Sequence, residues 1–257
     1  MRKSIAFKNG KGLTLRGFVF EPKKYQTAIV FLHGFPSHCS GFSGTRIAKL
    51  VEKTNLLLLT FDFSGTDLSD GKFENKLMSQ EVSDIKYAID FLAKNYSFQQ
   101  LVLIGHSTGA IDAALYAYKD KRIDKLILTG VVSDLKHAVR YDFTDEQVRD
   151  FWKKGYIVYN DPEKWYHRKK LKKAFYDEFF TLDIPTAIKK FKKPLLIVQG
   201  ENDEAIPVKD AEELFAQANR PKKLVIIRGA DHSFTNAIHS IKLLKCVHDF
   251  IEIELKF

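Results

Sequence analysis

A chain of 257 residues, 45% hydrophobic and 28% charged, has ample apolar material for one sizeable core and none of the composition of a disordered or fibrous chain. Its formal net charge of +9 is spread among many acidic residues with no nucleic-acid-binding motif beside it, so no nucleic-acid partner is expected. The start "MRKSIAFKNGKG" lacks an apolar h-region, the longest apolar runs are far too short to cross a bilayer, and Cys39 and Cys246 sit in no paired or ligand-spaced pattern, so a cytoplasmic chain with reduced thiols and no membrane insertion is expected.

The segments "LTLRGFVF" (13–20) and "TAIVFLHG" (27–34) read as strands, the first alternating and the second almost wholly apolar, a shift from an edge hairpin to a buried centre. A helical stretch follows at "GTRIAKLVEKTN", then the apolar strand "LLLLTFDF" (56–63), then a helix near 79–95 with apolar residues at helical spacing. "LVLIGH" (101–106) reads as a strand that passes at Ser107 into a helix. Next come strands at 125–130 and 194–200, a helix near 208–218, a strand at 223–229 and a closing helix through "IKLLKCVHDFIEIEL" (241–255). Strands alternating with helices predict an α/β fold: a mostly parallel sheet, helices on both faces, ligands at the carboxyl ends of the strands.

The stretch from 133 to 192 breaks this rhythm. It has no good strand, is rich in helix formers and holds both tryptophans, Trp152 and Trp165; so long a connection predicts a helical cap inserted into a core of residues 1–132 and 193–257. The run "HRKKLKK" (167–173) reads as a solvated helix face.

The stretch "GHSTG" (105–109), between a buried strand and a helix, has the form of a nucleophile elbow, in which the glycines permit a tight turn that exposes the serine hydroxyl. A serine hydroxyl needs a base and an orienting acid. "ENDEAIP" follows the strand at 194–200 and "ADHSF" follows that at 223–229, so an acid and a histidine close two successive late strands, in the order serine, acid, histidine. Glu201, Asp203, Glu204 and Asp134 are all candidates for the acid. His33 reads as a structural hydrogen-bonding residue. His38, His106, His137, His167, His239 and His248 have no spaced partners suggesting a metal.

Residues 27–250 resemble the α/β-hydrolase superfamily, in particular the small serine esterases that include bacterial cinnamoyl (feruloyl) esterases and serine aminopeptidase-like or monoacylglycerol lipase-like relatives. The resemblance rests on "FLHGF" (31–35), "DFSGTDLSDGKFEN" (62–75), "GHSTG", "GENDEAIP" (200–207) and "GADHSF" (229–234), in that order. It implies the α/β-hydrolase fold with the cap after the family's sixth strand, Ser107 as nucleophile, His232 as base and Asp203 as acid. The backbone N–H groups of Phe35 and Thr108 would form the oxyanion hole. It implies no metal or organic cofactor and a small-molecule ester substrate, cleaved through an acyl-enzyme; the same triad would suit a peptidase or thioesterase, and the fold alone would suit a non-catalytic binding module. Monomer and homodimer both remain open.

The departure lies at "DFSGTDLSDG", where Ser64, Thr66 and Asp67 replace the family's usual arginine, histidine and second glycine, which puts the nearby pocket wall in question. Cap aromatics Tyr141, Phe143, Phe151, Trp152, Tyr156, Tyr159, Trp165 and Tyr166 are expected mostly to fasten the cap to the sheet, two or three of them touching substrate.

Overall fold

The apolar runs become the middle of a sheet because their side chains can be buried on both faces at once. A computed structural model describes residues 1–252. Its strands are β1 (Arg2–Lys8), β2 (Thr14–Phe20), β3 (Thr27–Leu32), β4 (Leu56–Phe61), β5 (Gln100–His106), β6 (Lys125–Thr129), β7 (Tyr156–Val158), β8 (Lys170–Lys172), β9 (Leu195–Gly200) and β10 (Lys222–Ile227). Eight of them form one sheet in the order β1-β2-β4-β3-β5-β6-β9-β10, antiparallel only at the β1-β2-β4 edge.

Helices cover both faces. On one side α1 (Phe42–Val51) and α9 (Ala237–Glu252) pack on Ile29, Phe31, Leu56, Leu58, Val102 and Ile104. On the other, α2 (Met78–Asn95), α3 (Thr108–Ala117), α7 (Ile184–Lys190) and α8 (Val208–Gln217) cover the alternate positions Val30, Leu32, Leu57, Leu59, Leu101 and Leu103. Period-two alternation within each strand thus feeds two cores, each fully buried aliphatic side chain contributing about 1.5–3 kcal/mol. This is the α/β-hydrolase architecture that the sequence predicts.

Three details differ from the sequence reading. β1, which pairs with β2 along its whole length, has no apolar run to announce it, since most of its side chains are exposed. Between β6 and α7 lie α4 (Leu135–Asp142), α5 (Asp145–Lys154) and α6 (Lys173–Glu178), but also a two-stranded ribbon, β7 with β8; the cap is not purely helical. The basic run at 167–173 therefore supplies a strand rather than a helix face, because Leu171 opposite Ile157 gives the ribbon its one buried pair. The last residues of the expected closing helix, 253–255, lie outside the described residues.

Candidate active site

β5 is buried after its first residue and ends against the first turn of α3. Ser107 joins them at φ 56°, ψ −126°, a conformation costly for a residue with a Cβ and held only by its surroundings. Gly105 is what permits it: a Cβ there would lie 2.2 Å from the Gly109 carbonyl oxygen, so the helix could not approach the strand. α3 then points its amino end, with free N–H groups and positive dipole, at the serine. Thr108 N–H belongs to that turn. The backbone at Gly34 also abuts Ser107, since a Cβ on it would sit 3.5 Å from Ser107 Oγ, and the N–H of Phe35 follows directly.

His232 stands on the loop after β10. Its Nδ1 lies 2.8 Å from Asp203 Oδ2, so Nδ1–H donates and Nε2 remains the ring's basic nitrogen. The ring is 5.1 Å from that of His106, the residue before Ser107, and Gly130 leaves it room: a Cβ there would come within 2.8 Å of His232 Cε1. α1 steadies the same loop from below, where the buried Arg46 donates to the Ser233 carbonyl and lies 4.3 Å over Phe42. Burial pushes the Arg46 guanidinium down to about 10, against the pull of Asp231.

The Asp203 side chain is wholly buried. Oδ1 accepts the N–H groups of Ala205 (2.9 Å) and Ile206 (2.7 Å), while Oδ2 accepts His232 Nδ1 and the Gln199 amide at 2.7 Å. Four donors around one carboxylate fix its orientation. Gln199 was absent from the sequence reading; its only signal was a polar residue closing the apolar run "LLIVQG". The rival acids have other partners. Glu204 accepts the backbone N–H of His232, Glu201 that of Gly229, and Asp134 caps α4 through Lys136 N–H.

The remaining histidines divide by environment. His33 is buried, its Nδ1 2.8 Å from the Gly34 carbonyl, and burial holds it down to about 3, so it is neutral and braces the loop that carries Phe35. His106 is buried against Thr129 Oγ1 (2.9 Å), and burial, then His232, keeps it well below the ordinary imidazole range. The fold brings His137, Asp210 and Glu213 together, with ligand-type atoms within 4.8 Å of one another. Sequence spacing gave no hint of that grouping, yet its carboxylates already receive Ser133, Tyr141 and Lys209.

The loop that departs from the family pattern is held by a buried polar network that includes Lys76. Ser64 binds Asp84 through both its N–H (2.9 Å) and its hydroxyl (2.7 Å), and Asn9 reaches both. Lys76, buried, donates to the Ser64 carbonyl (3.3 Å) and Thr66 Oγ1 (2.5 Å) and pairs with buried Glu81 at 2.5 Å. Desolvation raises the Glu81 and Asp112 carboxyls, Asp112 well above its ordinary value. Asp67 takes the left-handed turn at φ 25°.

This loop carries Phe73, which stacks on Phe35 at 5.7 Å and meets the cap rings Tyr159, Trp165 and Tyr166. Trp165 Nε1 donates to the Pro36 carbonyl at 2.9 Å, and Phe175, missed in the sequence reading, stacks on Phe35 at 4.8 Å. Phe143 and Phe151 pack instead with Tyr176 in the interior of the cap. Asp142, solvent-accessible at the end of α4, is nonetheless so hemmed in by protein that its carboxyl is pushed up to about 6, with His232 pulling the other way.

Comparison with known proteins places the chain in a family. The family model of serine aminopeptidase, S33, matches residues 23–158. A Mycoplasma genitalium protein classed as an esterase/lipase is 27% identical over 241 residues, covering 84% of this chain and 86% of its own. A bifunctional esterase/perhydrolase of Acinetobacter calcoaceticus is 23% identical, covering 79% and 84%. Among solved structures, Est1E from Butyrivibrio proteoclasticus with ferulic acid bound superposes with a TM-score of 0.80 at 24% identity over 96% of this chain and 97% of that one, a likeness of fold. The chain belongs to the serine aminopeptidase S33 family and is a serine hydrolase of the α/β-hydrolase fold.

Proposed function

We propose that this chain hydrolyses small carboxylic esters through an acyl-serine intermediate, with Ser107, His232 and Asp203 as the triad. The observation that carries the reading is a strained serine at a strand-to-helix elbow together with a histidine whose Nδ1 is held 2.8 Å from a buried aspartate. His232 takes the Ser107 proton as Oγ attacks the ester carbonyl, Asp203 keeps the ring in the tautomer that leaves Nε2 basic, and the N–H groups of Phe35 and Thr108 receive the oxyanion. His232 then returns the proton to the leaving alcohol, and water repeats the sequence on the acyl group. Relatives bearing esterase names support an ester rather than an amide as substrate. The aromatic wall of Phe35, Phe73, Tyr159 and Phe175 suits an apolar or aryl acyl chain.

The test is intact mass after exposure to a fluorophosphonate, wild type beside Ser107→Ala. One adduct on the wild type, lost in the variant, is expected. A folded wild type that takes no adduct overturns the triad, and a panel of esters, thioesters and arylamides then ranks the acyl bond.

A further inference from the structure

The 22 residues from Trp152 to Lys173 hold eight lysines and arginines against Asp161 and Glu163. Two thirds of the chain's net charge of +9 thus sits in less than a tenth of its length. The fold brings this segment to the outside of the cap. α5 ends in Lys153 and Lys154, turns at Gly155, and β7 and β8 then pair Tyr156 with Lys172 and Val158 with Lys170. Ile157 and Leu171 between them are buried, so alternation turns their neighbours the other way. Trp152 is 68% exposed and Val158 47%, and Lys153, Arg168 and Lys170 are exposed beside them.

Cations and rings are interleaved here. Lys173 Nζ lies 4.1 Å from the Trp152 ring and Lys170 Nζ 4.3 Å from that of Tyr156. Only Lys154, Lys172 and Lys173 of this segment pair with carboxylates among the described residues. Exposed aromatic and aliphatic side chains set among unneutralised lysines are the composition that settles at the headgroup level of an anionic bilayer.

We propose that the outer face of the cap, from Trp152 through the β7–β8 ribbon, docks on an anionic phospholipid surface. Trp152, Tyr156 and Val158 enter the headgroup layer while Lys153, Arg168 and Lys170 meet phosphates. Val158 argues for lipid over nucleic acid, since an exposed aliphatic side chain has nothing to stack on or bond to in a nucleotide. The attachment is peripheral: among the described residues no helix is long and apolar enough to cross a membrane. The docking does not rest on the ester hydrolysis proposed above.

The experiment is co-sedimentation of the full chain with phosphatidylcholine vesicles with and without phosphatidylglycerol, at low and high salt. Binding is expected only with phosphatidylglycerol and is lost at high salt. Lys153→Glu/Lys170→Glu is expected to weaken it roughly tenfold or more, from the few-fold affinity that each lysine adds near such a surface, and Trp152→Ala to weaken it several-fold. Lys119→Glu/Lys121→Glu, the same charge change on the turn before β6 at the opposite end of the sheet, is expected to leave binding nearly unchanged. No binding to phosphatidylglycerol vesicles at low salt, an equal loss in the two charge-reversed proteins, or displacement of the vesicles by nucleic acid overturns the proposal. Every variant is assayed on a soluble short-chain ester: turnover there tests the triad, and vesicle binding tests the surface.

Discussion

Strands β5 and β7 lie in one chain and show how differently position can be held. β5 is hydrogen-bonded to parallel neighbours on both sides and buried along all but its first residue; the turn that leaves it can sustain the strained Ser107. β7 has three residues, one partner strand and one buried side chain. Ser107 and Asp203 therefore both follow strands flanked on two sides, whereas the proposed docking surface rests on a ribbon with a single buried pair.

The largest effect that would sharpen this contrast is expected at Asp203, the proposed acid. Asp203→Asn keeps the shape but lets Nδ1 become an acceptor, so kcat on a soluble ester is expected to fall by about three to four orders of magnitude with little change in Tm. A loss below tenfold would mean that the imidazole is oriented by something else.

Lys76→Met comes next. It leaves Glu81 buried with neither its cation nor full solvation, and a loss of about 3–5 kcal/mol is expected in urea unfolding. Lys76→Met/Glu81→Leu is expected to recover part of that loss, because no unpaired charge then remains beside the raised Asp112 carboxyl. If the single variant is as stable as wild type, the buried cation is not what holds the 64–76 loop.

In the cap the expected effects shrink. Trp165→Phe removes the donor to Pro36 and part of the ring packing on Phe73, for about 1–2 kcal/mol of stability and a KM effect larger than the kcat effect. Smallest is Asp142→Asn. The wild-type carboxyl, pushed up to about 6, is ionised above that pH and neutral below it; when ionised, it favours a protonated imidazole nearby. Removing it is expected to move the acidic limb of kcat/KM to lower pH, changing the rate by a factor of about two to three between pH 5 and 7. An unchanged limb would show that Asp142 and His232 do not sense one another.

Much of the frame was legible in the sequence because it is written locally. A strand, an elbow and a helix occupy contiguous residues, and an acid and a histidine each follow a strand within a few positions. What could not be read are contacts that only the fold assembles. Nothing at Gln199 announces that its amide will face Asp203 across a turn, and nothing near Ser64 says that Lys76 will donate to its carbonyl and to Thr66. Trp165 and Pro36, 129 residues apart, meet only once the cap has closed. β1 and the β7–β8 ribbon escaped notice because strands that bury few side chains carry little periodicity.

The place where the cap departs from the sheet has a consequence for inheritance. β6 and β9 are neighbours in the sheet, and α7 already returns the chain between them, so everything from α4 to α6 hangs from a crossover that would be complete without it. Closing a longer or shorter loop costs only a fraction of a kcal/mol per doubling of length. Descendants of such a chain can therefore exchange this segment wholesale while the register of every sheet strand, and with it the elbow, passes on unaltered.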